Sequence, residues 1–239
     1  MATISGTYAA RLTETLPRVK ERMRVALAAA GRGEDDVRLV AVTKSHPFEA
    51  VEAALAAGLT DLGENRVSEL AQKVEAFGSD GITWHMIGHV QSRKAPRLVG
   101  LAGMLHSLDS GKLAGKLSRA AVDRGTLVEV LAQVNTSGEA SKGGFDVDNG
   151  LDSILEIAEL PGLRVRGLMT MAPFVDDERV LGSAFGGLRR LSERLREASD
   201  LVGPELSMGM TNDLEIAIRE GSTMVRIGTA LFGERAGAA

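Results

Sequence analysis

Short runs rich in β-branched residues alternate with longer amphipathic runs along almost the whole chain, and this alternation limits the possible folds. Parallel strands need a crossover helix between them, so strand–helix alternation predicts a parallel sheet. Eight such units fit a closed barrel better than an open doubly wound sheet. The predicted strands are residues 37–43, 60–64, 82–88, 104–109, 127–135, 163–171, 205–210 and 223–232.

An amphipathic helix precedes the first strand, at about residues 8–30. Its apolar residues recur at spacings of three and four, as on one face of a helix. No change of composition and no linker divides the chain that follows. We therefore expect residues 1–239 to form one α/β domain, a (β/α)8 TIM barrel over about 37–235 with an extra N-terminal helix.

The composition excludes several classes of protein. The net charge is −4, and the aromatic residues are one Trp, one Tyr and six Phe, which argues against a nucleic-acid-binding surface. The absence of cysteine excludes disulfides, thiolate metal sites and cysteine nucleophiles. His85 and His89 are separated by a strand end and Gly88, so they are not a helical metal pair, and we expect no metal. Without a signal peptide or a long apolar run, we expect a cytoplasmic protein that does not contact membranes.

Polar residues end most of the predicted strands. In a (β/α)8 barrel the active site lies at the carboxyl ends of the strands. We therefore expect these residues to share one mouth of the barrel. They are Lys44, Glu64, Asn65, His85, His106, Asp109, Asn135, Thr170, Ser207, Gly209, Arg226, Gly228 and Thr229.

Lys44 is the first candidate for covalent chemistry. It follows Val40 and Val42 with the same strand parity, so it points into the barrel if they do. A desolvated lysine loses its proton more easily, and the neutral amine attacks aldehydes, as Schiff-base chemistry requires. A solvated lysine at a strand end is the alternative interpretation.

The segments after the last two predicted strands indicate an anion site. Glycines near Ser207 and Thr229 allow backbone N–H groups to approach an oxyanion, and the helix that follows adds its positive end. Barrels often bind phosphate at these two positions. Alternatively, the glycines only end the strands.

Arg226 is a donor that keeps its proton, so it could bond to a ring nitrogen or pair with a carboxylate in the barrel.

Several segments together resemble the pyridoxal phosphate homeostasis protein family. They are AVTKSHP, GENRVSE, WHMIGHVQSRK, HSLDS, QVNTSGEASKGGF, GLMTM, LSMGMTND and GSTMVRIGTALFGER, in the order of the family. The resemblance implies a barrel similar to the N-terminal domain of alanine racemase (fold type III), with pyridoxal 5'-phosphate at its mouth. It assigns the internal aldimine to Lys44, phosphate binding to Ser207, Gly228 and Thr229, and the pyridine nitrogen to Arg226. It places Asn65 and His85 near the cofactor ring.

The resemblance also implies a role in intracellular pyridoxal phosphate homeostasis, with enzymes that use the cofactor as possible recipients. Racemization needs two bases on opposite faces of the substrate, and the single tyrosine, Tyr8, lies in the N-terminal helix. We therefore predict a carrier and assign no catalytic residue. A racemase or related enzyme is the first alternative, and a Schiff-base aldolase acting on a sugar phosphate is another.

Two further expectations concern assembly and one loop. A closed barrel has no free strand edge, which favours a monomer. Glycine, serine and charged residues dominate residues 136–145, which include Lys142. This composition predicts a mobile loop. The sequence leaves two roles open for it, a lid or a second contact to the cofactor.

Overall fold

A computed structural model describes residues 4–137 and 143–234, with side chains from residue 7 onward. Eight parallel strands close into a barrel in the order β1, β2, β3, β4, β5, β7, β8, β9, and β9 pairs again with β1. A two-residue strand, β6, pairs with the end of β5 outside this ring. The strands are β1 Arg38–Val42, β2 Asp61–Glu64, β3 Thr83–Met86, β4 Met104–Leu108, β5 Val128–Asn135, β6 Phe145–Asp146, β7 Leu163–Met169, β8 Val202–Ser207 and β9 Met224–Ile227.

The helices surround the barrel, which confirms the predicted fold. Among the described residues, no helix has both the length and the apolar character needed to cross a membrane. The α-helices are α1 Ile4–Ala29, α2 Phe48–Ala56, α3 Val67–Phe77, α4 Ala95–Leu98, α5 Gly111–Asp123, α6 Leu151–Ala158, α7 Glu178–Ala198, α8 Leu214–Arg219 and α9 Thr229–Phe232, and the 3₁₀ turns are Glu34–Asp36 and Ser92–Lys94.

Strand alternation divides the core into two parts. Val40 belongs to a small cluster inside the barrel, whereas the next residue, Ala41, belongs to the large cluster between strands and helices. The large cluster includes Trp84, Phe185 and Phe232. The small interior cluster consists of Val40, Met104, Leu131, Met169 and Met224. The remaining interior space near the strand ends is therefore available to polar side chains.

The N-terminal helix α1 lies against the seam between the first and last units. It packs on α2, α8 and α9 and buries its apolar stripe, Leu12, Leu16, Val19, Met23 and Ala26. Arg22 ties it to α8 through a 2.6 Å ion pair with Glu215. The helix predicted at about 8–30 is confirmed, and it begins at Ile4.

The last two strands end earlier than the sequence pattern predicts. The seventh of the barrel stops at Ser207 because the chain turns at Gly209, whose φ is +96°. The eighth stops at Ile227, and residues 229–232 form α9 rather than strand. These four residues are apolar in part because α9 is itself packed into the core, and a short buried helix has no distinct periodicity.

Candidate functional site

Lys44 stands in a tight turn directly after β1. Its side chain is partly buried, and Ser45 beside it has a φ of +59°. A positive φ is unusual for a residue other than glycine, so contacts must hold this turn. The backbone N–H of Ser45 donates a hydrogen bond to Glu69 Oε1 on α3. The position of Lys44 therefore depends on what anchors α3 to the end of β1.

The anchor is a buried ionic cluster, here called the Lys73 cluster: Thr43, Glu64, Glu69 and Lys73. Lys73 is only 1% exposed, and its Nζ donates to the carbonyl of Thr43 at 2.8 Å and to Glu64 Oε1 at 2.7 Å. Thr43 Oγ1 donates to the same carboxyl at 2.6 Å. Lys73 Nζ also lies 3.6 Å from Glu69 Oε1. The peptides on both sides of Lys44 are thus bonded to one cluster.

Glu64 is the member of this cluster whose negative charge is opposed by burial. Burial raises its pKa, although the charge of Lys73 and the hydrogen bonds from Lys73 and Thr43 oppose the rise. Its Oε2 atom has no hydrogen-bond partner among the described residues. The carboxylate is therefore stabilised almost entirely through one oxygen, which makes it dependent on Lys73.

The pairing of β1 with β9 brings the anion-site candidates beside Lys44. Val40 pairs with Arg226 and Ala41 with Ile227, in parallel register. A Cβ added to Gly228 would lie 3.3 Å from the carbonyl oxygen of Val42. The exposed Thr229 then begins α9, where the first N–H groups of a helix lack partners within the helix.

The loop after β8 is locked to β9. Gly209 accepts a 2.9 Å hydrogen bond from the backbone N–H of Arg226, and a Cβ on Gly209 would lie 2.7 Å from that of Ala217. Asp213 precedes the helix that follows, and its carboxylate accepts from the N–H of Met210 in the loop. The two glycine-containing loops therefore form one rigid border of the mouth.

Arg226 lies inside the barrel below this border. Its Nη1 donates to the carbonyl oxygen and the hydroxyl of Ser207, both at 2.7 Å, and its Nη2 donates to the carbonyl of Thr170 at 2.8 Å. Burial lowers the pKa of Arg226 to about 10, so it remains a cation at neutral pH. The three bonds use three of its five N–H groups.

Two predicted site residues, Ser207 and His85, lie in the interior of the barrel. The hydroxyl of Ser207 contacts Arg226 and His106, and among the described residues these are its hydrogen-bond partners. His85 is fully buried and bonds to His106 and Asp61. Burial, the largest cause, and the nearby charge of Arg226 hold the pKa of His106 well below its usual value.

The other candidates lie at the strand ends around the mouth. Asn65 is partly buried, and its backbone packs closely on Gly88. A Cβ added to Gly88 would lie 2.3 Å from the carbonyl oxygen of Asn65. Exposed His89 bonds to Asp109 at 2.8 Å. Asn135 accepts from the hydroxyl of Ser137 at 2.9 Å.

Part of the predicted loop at 136–145 falls outside the described residues. These are residues 138–142, which include Lys142. On the near side of this gap, Thr136 Oγ1 lies 2.9 Å from Thr170 Oγ1. On the far side, the carbonyl of Gly143 accepts from Gln133 at 2.7 Å. Both flanks are therefore anchored to strand ends of the barrel.

An aromatic cluster links the turn at Lys44 to both ends of the chain. The hydroxyl of Tyr8 lies 3.0 Å from His46 Nδ1, and Phe232 packs on both rings. Burial raises the pKa of Tyr8. The cluster joins α1, the turn after β1 and α9, so it holds Thr229 and Lys44 in a fixed relation.

Removal of the Tyr8 hydroxyl tests this link. We expect Tyr8→Phe to lower the free energy of unfolding by about 1 kcal/mol, because the bond to His46 is lost while the ring packing stays. Thermal denaturation measures the change, and Thr13→Val on the exposed side of α1 is the control. An equal loss in both variants would show that the contact with His46 is not specific.

The sequence analysis did not single out Asp61, Glu69 or Lys73, whose side chains bond to residues near the mouth or in the interior. Lys73 lies on an amphipathic helix, where a lysine ordinarily faces solvent. Its spacing of four from Glu69 indicates an ion pair but not its burial. Asp61 begins a strand rather than ending one, so it was not among the strand-end residues.

The comparisons with known proteins cover nearly the whole chain. Residues 15–236 match the family described as alanine racemase, N-terminal domain. The pyridoxal phosphate homeostasis protein of Aquifex aeolicus is 40% identical over 222 residues, which are 93% of this chain and 97% of that protein. A protein of unknown function from Bifidobacterium adolescentis has a TM-score of 0.90 and 39% identity, covering 97% and 98% of the two chains.

Two further solved structures extend the comparison. PipY of Synechococcus elongatus PCC7942, solved with PLP bound, has a TM-score of 0.77 and 32% identity over 90% of this chain and 100% of its own. Alanine racemase of Clostridium difficile 630 has a TM-score of 0.77 at 16% identity, covering 96% of this chain and 61% of that one. The last similarity supports the barrel fold alone.

Proposed function

Since the chain belongs to the pyridoxal phosphate homeostasis protein family, we propose that it binds pyridoxal 5'-phosphate at the mouth beside Lys44 and serves in the homeostasis of that cofactor. The observation that carries the proposal is the register of β1 with β9. It places an amine, a cationic donor and a glycine-containing helix start at adjacent strand ends.

Each part of the cofactor has a chemically suited group at this mouth. Lys44 would hold the cofactor through its amine, the group that suits an aldehyde. The N–H groups at Gly228 and Thr229 suit the phosphate. Among the described residues, three N–H groups of Arg226 make hydrogen bonds, and one of the other two suits the ring nitrogen. In this proposal Ser207 and His85 act from below, through Arg226, and Asn65 borders the ring.

The cofactor supplies an aldehyde and an electron-withdrawing ring when bound. Arg226 does not readily give a proton to that ring, so the electron demand on a substrate stays weak. Tyr8, the single tyrosine, already contacts His46 at 3.0 Å, so it is not arranged as a second base. These features favour a carrier over a racemase.

The proposal also includes delivery of the cofactor to enzymes that use it, a cytoplasmic location and action as a monomer. The closed barrel supports a monomer, because every barrel strand is paired on both sides and offers no edge to a second copy.

Lys44→Ala tests the covalent attachment. We expect wild-type protein mixed with pyridoxal phosphate, reduced with borohydride and weighed by mass spectrometry to carry one pyridoxyl group on Lys44. The Lys44→Ala variant should lose that group and the visible absorbance of the bound cofactor, because it lacks the amine. Lys116→Ala, which removes an exposed lysine of α5, is the matched control. Retention of the group at the mouth of Lys44→Ala would contradict the assignment.

A proton-exchange experiment separates the carrier from the racemase. If the protein is a carrier, we expect L- and D-amino acids incubated in D₂O with the cofactor-loaded protein to keep their α-protons. Exchange that is lost in Lys44→Ala would establish an amino-acid enzyme instead. Trapping of a sugar phosphate on Lys44, without a pyridoxyl group, would indicate an aldolase.

A further inference from the structure

Five polar side chains form a continuous hydrogen-bonded line through the barrel, here called the interior chain. Asp61 Oδ1 lies 2.9 Å from His85 Nε2, and His85 Nδ1 lies 2.8 Å from His106 Nε2. His106 Nδ1 lies 2.8 Å from Ser207 Oγ, which accepts from Arg226 Nη1 at 2.7 Å. The three middle residues are fully buried, so water does not compete for these bonds.

The two ends of the interior chain fix the direction of its bonds. Arg226 can only donate, so Ser207 Oγ accepts from it. A carboxylate can only accept, so His85 Nε2 carries a proton and donates to Asp61. The interior chain therefore begins at a cation and ends at an anion. Each residue between them accepts one hydrogen bond from one neighbour and donates one to the next.

The middle of the interior chain follows from these ends. If His85 is neutral, its Nδ1 accepts from His106 Nε2, and His106 Nδ1 accepts from the hydroxyl of Ser207. In the reverse arrangement Ser207 Oγ would accept from both Arg226 and His106. The hydroxyl proton of Ser207 would then have no acceptor in either residue. The reverse arrangement would also require a second proton on His85, because Nε2 already donates to Asp61. Burial also disfavours a charge on His106, whose pKa lies well below its usual value.

We propose that Asp61 is a positioning residue, which fixes both histidines as their Nε2–H tautomers and thereby orients the Ser207 hydroxyl and Arg226 toward the mouth. The proposal extends the proposed function, since the oriented group is the expected partner of the cofactor ring nitrogen. It assigns a role to a residue at the start of β2, at the other end of the barrel from Lys44.

The energetic reason is that the bonds depend on one another. Without an acceptor at position 61, His85 has no reason to keep its proton on Nε2. If that proton moves to Nδ1, both bonds can reverse: His85 Nδ1 donates to His106 Nε2, and His106 Nδ1 donates to Ser207 Oγ. The hydroxyl proton of Ser207 then has no acceptor in the interior chain. Arg226 then keeps its carbonyl contacts to Ser207 and Thr170 but shares Ser207 Oγ with a second donor, His106 Nδ1. The effect at the mouth is a change of orientation rather than of charge.

Imidazole ¹⁵N NMR of the full-length, cofactor-free protein tests the proposal directly. We expect His85 and His106 each to show the pattern of a neutral ring protonated at Nε2. Asp61→Leu should abolish the single pattern of both rings, whereas Asp61→Asn, which keeps an acceptor oxygen, should preserve it. Glu129→Gln, which alters a partly exposed acid at the same end of the barrel on β5, is the control and should change neither ring.

A binding measurement then connects the interior chain with the mouth. We expect Asp61→Leu to raise the Kd for pyridoxal phosphate about tenfold, as the loss of one hydrogen bond would. Asp61→Asn should restore most of the affinity.

Two results would overturn the proposal: a wild-type His106 protonated at Nδ1, or an Asp61→Leu variant in which both tautomers persist. The wild-type spectrum decides the first even if the leucine variant fails to fold. Failure of the wild-type protein to bind pyridoxal phosphate would remove the proposed function alone, because the tautomers are measured without the cofactor.

Discussion

Replacement of Lys73 by methionine is expected to lower the free energy of unfolding by about 3–5 kcal/mol, as for other buried ion pairs that lose one member. The substitution keeps much of the side-chain volume but leaves Glu64, which is fully buried, without its cation. Because Lys73 also donates to the carbonyl of Thr43, we expect covalent capture of pyridoxal phosphate by Lys44 to slow in the same variant.

The loss of stability should depend on pH in a defined direction. Burial already raises the pKa of Glu64, and Lys73 is the largest opposing influence, so the pKa rises further in Lys73→Met. A carboxyl with a higher pKa in the folded state binds more protons there, so stability falls as pH rises above the unfolded pKa. We therefore expect a smaller deficit at about pH 5 than at about pH 8.

Denaturant titration at both pH values measures this effect, with fluorescence of the single, buried tryptophan, Trp84, as the probe. The double variant Lys73→Met/Glu64→Leu is the control: it removes both charges, so it should lose less stability than the single variant, although Thr43 loses its partners in both. A deficit below about 1 kcal/mol that is the same at both pH values, or a double variant as unstable as the single one, would contradict the prediction.

Gly88→Ala is expected to be the most damaging single-methyl substitution near the mouth. The added Cβ would lie 2.3 Å from the carbonyl oxygen of Asn65 and 2.7 Å from its Cα, and both are backbone atoms that cannot rotate away. The loops after β2 and β3 must separate. We expect a loss of about 3 kcal/mol in the free energy of unfolding.

The same separation displaces Asn65, so affinity for pyridoxal phosphate should fall with stability. Gly115→Ala is the matched control: Gly115 is in the middle of α5, with nothing within 4 Å of its added Cβ. Alanine there should raise stability by about 0.5–1 kcal/mol, since glycine is a poor helix former. The prediction fails if both alanine variants unfold at the same denaturant concentration.

The alternation of strands and helices was sufficient to predict the barrel, because each strand and helix carries its own local signal. The ends of the last two strands were predicted too late, but the residues chosen near them do lie beside the first strand. The pairing of β1 with β9 brings Gly228 and Arg226 close to Lys44. The sequence could not show how deeply each of these side chains is buried in the barrel. Ser207 and His85 were expected around the cofactor, and the structure adds that both are fully buried and bonded to His106.

Lys73 illustrates the same limit on a helix. Among the eleven residues of α3, it shares the buried face with Val67 and Leu70. A sequence pattern assigns a lysine to the solvent face, because burial of an unpaired ammonium is costly. The burial becomes favourable through Glu64 and the carbonyl of Thr43, which reach Lys73 only after β1 and β2 have paired.

The pairing of β1 with β9 also determines when the mouth can exist during synthesis of the chain. Lys44 leaves the ribosome early, whereas Arg226 and Thr229 are among the last described residues to emerge. A nascent chain that lacks β9 has no strand to pair with that side of β1, so it cannot align the amine with the guanidinium. Capture of pyridoxal phosphate should therefore act as a selective stabiliser of the completed ring, because a ligand that binds only the closed form shifts the equilibrium toward it.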